Sequence, residues 1–332
     1  MGALEARAAP RLPRAARGPQ TAAYAQGSRW GSGRTVRGSA RAVLKGRAMH
    51  SGLLEGRVAV ITGAGRGIGR SVALAFAREG ARVVVNDLGC AVDGSGADPA
   101  VAQAVVDEIR AAGGQATASH DTVTTQEGAE AIVKAAIDAF GGVDILVNNA
   151  GVSSDRSLLN MTSEQWNAVV EAHLRGTFLC TQVAARQMRL QRRGGRIVNT
   201  TSVSGMLGNV AQANEASAKA GIYGLTRTAS IELQKYDILV NAVAPIARTR
   251  LTESLPMFEK VKDTMEPEHV APVYVFLASD LASEVSGSVL GVVGGRLSVF
   301  QVVESAGRIK EADRGVWTPA EIAEHFDSIA KL

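Results

Sequence analysis

Thr62-Gly63-Ala64-Gly65-Arg66-Gly67-Ile68-Gly69 is the stretch that decides the fold. Ahead of it runs Val58–Thr62, apolar and of strand length; behind it, residues 70–78 carry helical spacing. A glycine-rich run alone is a weak signal, but between a strand and a helix it acquires a mechanism. Glycines let the backbone bend sharply and come close to a diphosphate. The helix start then offers unpaired N–H groups and the positive end of its dipole.

Working outward, the pattern alternates. Strand-length apolar runs are predicted at 82–87, 116–120, 143–148, 196–201, 238–244 and Val289–Val293. Helical stretches fall between them at 101–112, Gln126–Phe140, 163–191 and 213–234. Seven strands joined through helices imply right-handed crossovers and an α/β architecture: one doubly wound, mostly parallel sheet with helices on both faces. Apolar residues make up 46% of the chain and aromatics only 4%, as tightly packed helices over a parallel sheet require. Residues 51–300 are read as this domain and 301–332 as a helical C-terminal extension.

The net charge of +4 conceals an asymmetry. Residues 1–48 hold ten basic side chains against one acid, so they carry +9 and the remainder carries −5. This segment lacks hydrophobic periodicity, and residues 1–50 are read as a disordered basic extension. It can be an organelle transit peptide, a nucleic-acid-binding arm, or sequence upstream of a start at Met49. The compact opening directly after Met49 favours the last. An acidic remainder argues against a nucleic-acid partner. No apolar run is long enough for a membrane span. Two cysteines, Cys90 and Cys180, form no disulfide framework and no metal-ligand cluster, so no metal is expected and a reducing compartment is.

The cofactor expectation follows from position. Gly63, Gly65, Arg66, Gly67, Ile68 and Gly69 form the diphosphate turn. Asp87 ends the second strand, eighteen residues after Gly69. A carboxylate there accepts hydrogen bonds from both adenosine-ribose hydroxyls and repels a 2′-phosphate, favouring NAD over NADP. Arg66 pulls the other way, since a guanidinium pairs with such a phosphate. Asp121, after the third strand, is placed either to meet the adenine edge or to cap a helix.

The run TGAGRGIG (62–69), NNAG at 148–151, Ser202 thirteen residues before position 215, Lys219 and NAVAP (241–245) together resemble a short-chain dehydrogenase/reductase over residues 53–295. That resemblance implies a Rossmann domain whose dinucleotide also meets Asn149, Ala150, Gly151, Lys219 and Pro245. VVVNDLG (83–89), HLRGTF (173–178) and EPEHVAP (266–272) are similar to the (3R)-hydroxyacyl-CoA dehydrogenase domain of peroxisomal multifunctional β-oxidation enzymes and its bacterial stand-alone relatives. The implied substrate is a 3-hydroxyacyl or 3-oxoacyl thioester of CoA or a carrier protein. The implied assembly is a homodimer or homotetramer through the two long helices. The location is expected to be cytoplasmic, with a peroxisomal or organellar address open because the chain ends Ala-Lys-Leu.

The resemblance also assigns roles. A serine hydroxyl meets the substrate oxygen, a tyrosine phenol exchanges its proton, a lysine one turn later assists, and a polar residue on the preceding helix relays protons. Ser202, Lys219 and His173 stand at the serine, lysine and relay positions. The tyrosine position is Glu215. Glu215 and Lys219 at i,i+4 are expected to pair on the helix face. A carboxylate has no proton to give a carbonyl and is a poor base for an alcohol, so a rate loss of at least ~10²–10⁴-fold follows. Tyr223 lies two turns on and is read as a packing residue. The expectation is therefore an impaired NAD-dependent oxidoreductase or, alternatively, an NAD-binding pseudoenzyme. Ser153, Arg156, Gln212 and a lid over 248–265 are the expected substrate contacts.

Overall fold

The computed structural model describes residues 52–252 and 265–332; the basic extension and most of the expected lid lie outside the described residues. Strands β1 (Val58–Thr62), β2 (Arg82–Asn86), β3 (Gln115–Ser119), β4 (Ile145–Asn148), β5 (Gly195–Thr200), β6 (Ile238–Ile246), β7 (Val289–Val293) and β8 (Arg296–Phe300) form one sheet. Its order is β3-β2-β1-β4-β5-β6-β7-β8. All pairings are parallel except the last, where β8 returns antiparallel on β7. The seven expected strands are present, and β8 is an addition. Its alternating Arg296-Leu297-Ser298-Val299-Phe300 exposes Leu297 and Val299, a one-sided edge strand that the longer apolar runs overshadow.

Helices α1 (Gly67–Arg78), α2 (Ala100–Ala111), α3 (Gln126–Phe140), α4 (Ser163–Val170), α5 (Gly176–Gln191), α6 (Val203–Leu207), α7 (Ala213–Leu233), α8 (Ala271–Ala278) and α9 (Pro319–Ala330) complete the chain. Caps explain several starts. Thr125 accepts from the Gly128 N–H at 3.0 Å ahead of α3, which ends on Gly141 at φ 83°. Thr162 and Gln165 form a capping box at the start of α4. The expected single helix over 163–191 is interrupted by a π turn at Glu171–Arg175, and that turn carries His173.

β1 shows why the sheet is buried on both faces. Val58 and Val60 point into one core layer with Ile132, Leu146, Met188 and Ile197; Ala59 and Ile61 point into the other with Val72, Phe76, Ile109 and Tyr274. A buried polar ladder ties the central strands to the helices. Asn148 Nδ2 donates to Asn199 Oδ1 and Thr181 Oγ1, both at 2.9 Å, and Asn199 Nδ2 donates to Thr226 Oγ1 at 3.0 Å. Asn199→Ala removes two buried hydrogen bonds, leaving Asn148 Nδ2 with Thr181 alone and Thr226 Oγ1 with the Ile222 carbonyl alone. We expect a loss of about 2 kcal/mol of unfolding free energy, read as a lower urea midpoint at constant slope.

Candidate dinucleotide and catalytic site

The sheet order reverses between β1 and β4, so the loops after these strands splay apart and leave a crevice at their carboxyl ends. A cavity of about 380 Å³ lies there, bordered by Gly63, Arg66, Asp87, Asp121, Asn149 and Thr249 among others. The turn between β1 and α1 is held tightly. Thr62 Oγ1 accepts from the Asn149 and Ala150 N–H groups at 3.0 and 3.1 Å, and Asn149 Nδ2 donates back to the Gly63 carbonyl at 3.1 Å. A side chain on Gly69 would place its Cβ 2.0 Å from the Gly63 oxygen, so helix and turn touch only because that position is bare. Arg66 precedes α1 without a side-chain cap, which leaves the first amides of the helix available to an anion.

Asp87 lies just past β2. Its carboxylate accepts the Gly65 N–H and the Gly89 N–H, each at 2.8 Å, and so braces the glycine turn. Arg66 and Arg250 both donate to the Cys90 carbonyl, at 3.1 and 3.2 Å. Asp121 does not cap α3, since Thr125 does. Its Oδ2 accepts from Ser119 Oγ at 3.0 Å at the cavity border, which leaves the adenine-edge reading standing. Bare turn, free helix amides and an acceptor at the far end of the cavity together fit a dinucleotide. Pro245, near the end of β6, pairs with Val292 of β7.

The second half of the site gathers on β5, the π turn and α7. Thr201 Oγ1 donates to the Lys219 carbonyl at 2.7 Å, and Lys219 Nζ donates to the Thr200 carbonyl at 2.9 Å. These two bonds dock the end of β5 on one turn of α7 and set Ser202 beside it. Ser202 Oγ meets Ser204 Oγ at 2.8 Å and caps α6. His173 Nε2 lies 2.9 Å from the Val152 oxygen and 3.2 Å from Glu215 Oε2, while Nδ1 is buried without a partner. Two acceptors at Nε2 place the ring proton there. Gly151 makes room for this ring, since a Cβ at that position would lie 1.9 Å from His173 Cε1.

The expected Glu215–Lys219 ion pair is not formed. Lys219 turns its ammonium to the Thr200 carbonyl, and Glu215 turns instead to His173. Helical spacing permits an i,i+4 pair but does not compel one when a buried imidazole and an unsatisfied strand-end carbonyl compete. Burial lowers the Lys219 ammonium below its ordinary range, with Glu215 opposing from a distance. Burial likewise lowers His173, partly offset by the Glu215 carboxylate.

That shift has a stability consequence. His173 stays neutral in the fold while the unfolded chain takes up a proton near 6.5, so this contribution is present above that value and is lost as pH falls. The thermal midpoint is expected to drop between about pH 7 and 5, and to drop less in His173→Gln.

The sequence points to Ser202, Lys219, His173 and Glu215, and the structure brings them to one end of α7. Thr62 stands in the glycine-rich run without an expected role, and Thr201 and Asn214 carry none either; all three fix the loops. Asn214 Nδ2 donates to the Ser154 and Gln165 carbonyls at 2.9 and 3.2 Å. No periodicity signals such groups, because their partners are backbone atoms distant in sequence. Thr249, Arg250 and Leu251, from the start of the stretch expected as a lid, lie at the cavity border. Arg156 and Gln212 bring two loops together: Gln212 Nε2 donates to Asp155 Oδ2 and the Arg156 N–H to the Ala211 carbonyl, both at 2.9 Å. Ser153 Oγ reaches Asp155 at 3.3 Å. Tyr223 packs against the small buried cluster of Ala242, Ala244 and Val289, as expected of it.

Known proteins share this arrangement. The family model described as short chain dehydrogenase matches residues 57–259. The peroxisomal multifunctional enzyme type 2 of Drosophila melanogaster is 41% identical over 290 residues, covering 83% of this chain and 48% of its own length. The chain thus spans about half of that relative. A Mycobacterium tuberculosis protein named hydroxyacyl-CoA dehydrogenase ChsB1 is 41% identical over 285 residues, covering 81% of this chain and 87% of its own. The crystal structure of a short chain dehydrogenase from Mycobacterium avium superposes with a TM-score of 0.73 at 42% identity, covering 84% of this chain and 95% of that one. By matched model, identity and superposition alike, the chain belongs to the short-chain dehydrogenase family of NAD(P)-dependent oxidoreductases.

Proposed function

We propose that this oxidoreductase uses NAD and interconverts 3-hydroxyacyl and 3-oxoacyl thioesters, with hydride transfer slowed by Glu215. The observation that carries the reading is the single crevice at the β1/β4 switch point. Asp87 lies on its border, and so do Gly151 and Val152, whose segment touches His173 and through it Glu215. The substrate class is supported by the names of relatives that match most of the chain, and by the resemblances at 83–89, 173–178 and 266–272.

In this reading Gly63, Gly65, Gly67, Ile68 and Gly69 take the diphosphate, with Arg66 at its rim. Asp87 takes the adenosine ribose, and Asp121 the adenine edge. Asn149, Ala150, Gly151 and Pro245 line the nicotinamide side. The dinucleotide supplies a hydride acceptor or donor. Everything else falls to the chain itself. Ser202 Oγ holds the substrate oxygen, the Lys219 ammonium binds ribose hydroxyls with the N–H groups not given to Thr200, and His173 lies behind Glu215. The proton step is the weak link, since Glu215 stands where the resemblance places a phenol.

One observation favours the pseudoenzyme reading. Glu215 and Lys219 are each engaged with another partner, so no acid–base pair faces the substrate oxygen. Steady-state assays of the full chain with a panel of 3-hydroxyacyl-CoA thioesters and both dinucleotides separate the two. Slow NAD reduction with at least one thioester supports the enzyme; NAD binding with no reduction of any supports the pseudoenzyme. We also propose a homodimer or homotetramer through α5 and α7, supported by exposed Phe178 and Ile231 on those helices.

A further inference from the structure

A carboxylate at position 215 is mismatched to an alcohol, so the question becomes which acid it does suit. Three observations define its surroundings. Glu215 Oε2 lies 3.2 Å from His173 Nε2. That nitrogen also meets the Val152 oxygen at 2.9 Å, which fixes the imidazole ring from behind. Of the three side chains Glu215 is the most accessible, 19% exposed against 6% for His173, while Lys219 is buried and bonded to Thr200. The result is a positioned, partly exposed carboxylate side chain with an imidazole N–H beside it.

General bases work best on acids whose strength approaches their own. A secondary alcohol lies far from that range. The C2–H of a 3-oxoacyl thioester lies between two carbonyls, its conjugate base is a delocalised enolate, and it is a far stronger acid. Carboxylates serve as the base for such carbon acids on other folds. We propose that Glu215 is the general base for C2 of a 3-oxoacyl thioester, so that the site catalyses enolisation without hydride transfer. The visible outcomes are exchange of the C2 hydrogen and loss of stereochemistry at C2 in 2-substituted substrates. This rests on the thioester reading above and extends it to a second reaction.

The step balances without an oxidant or reductant. The C2–H bond breaks and its proton passes to a Glu215 carboxylate oxygen. Its electron pair forms the C2–C3 double bond while the C3 carbonyl pair moves onto oxygen. Ser202 Oγ, at the adjoining end of β5, is the hydroxyl placed to meet that oxyanion. The carboxyl proton exchanges with water and C2 is reprotonated, which returns the thioester with one hydrogen replaced. His173 acts through Glu215 and is a positioning residue.

The test uses acetoacetyl-CoA in D₂O at about pH 6, where hydroxide-driven exchange is slow. The full chain is present without added dinucleotide, and deuterium at C2 is read by mass spectrometry. Exchange at least tenfold above the buffer rate is expected, falling to the buffer rate in Glu215→Gln. Calorimetry checks that this variant still binds acetoacetyl-CoA. Should it fail to fold, Glu215→Ala with exchange restored by added formate makes the same test. Equal exchange in parent and variant, or none above buffer despite binding, overturns this inference alone. Failure of the parent to bind acetoacetyl-CoA at millimolar concentration overturns the thioester reading as well.

Discussion

Glu215→Tyr raises kcat for 3-hydroxyacyl-CoA oxidation at least tenfold, toward the ~10²–10⁴-fold that a positioned proton-transfer group contributes. The reason is local. Position 215 lies one helical turn before Lys219, and the docking of Thr200 and Thr201 on that turn fixes its distance from Ser202. A phenol there carries the proton that a carboxylate lacks, and the Lys219 ammonium favours its ionised form. The structural cost is small. His173 Nε2 loses Glu215 but keeps the Val152 oxygen at 2.9 Å, so no buried donor is stranded. The same substitution removes the carbon-acid base, so C2 exchange falls as oxidation rises. Movement of the two activities in opposite directions is a signature that a general change in stability does not produce. An unchanged kcat in a folded Glu215→Tyr protein means that the lesion lies elsewhere.

Asp87→Ala weakens NAD binding by at least tenfold and removes the preference against NADP. Hydrogen bonds to a charged acceptor contribute about 1.5–3 kcal/mol each, or roughly 10- to 150-fold in Kd. Two effects add here. The adenosine ribose loses its acceptor, and the Gly65 and Gly89 N–H groups lose the carboxylate that braces the turn. Without that negative charge, Arg66 and Arg250, now both on the Cys90 carbonyl, are left facing a 2′-phosphate. Fluorescence titration with both dinucleotides reads the change. Equal NAD affinity in parent and variant contradicts the assigned role.

Much of this fold is legible in the amino-acid sequence. Apolar runs of five residues bounded by glycine-rich turns locate β1, β7 and their neighbours, because a strand buried on both faces must be apolar throughout. The diphosphate turn is legible for a different reason: close backbone approaches leave no freedom at positions such as Gly69. The edge strand β8 is not, since one exposed face dilutes its pattern. The π turn at Glu171–Arg175 is invisible as well, because one inserted residue scarcely disturbs helical periodicity. In the site, residue types are readable but pairings are not. Spacing alone pairs Glu215 with Lys219, whereas its actual partner His173 comes from a segment about forty residues earlier, brought near only by packing of the π turn on α7. Contacts of that kind follow from tertiary structure, which a local pattern does not encode.

The oxidoreductase reading depends on a dinucleotide seated against α1 with its ribose on Asp87. Isothermal titration of the purified full chain with NAD and, separately, NADP measures this directly. The account predicts saturable one-site binding of NAD at least about tenfold tighter than NADP, the discrimination expected when a carboxylate meets ribose hydroxyls rather than a phosphate. Binding of neither dinucleotide at millimolar concentration, or tighter binding of NADP, would contradict it.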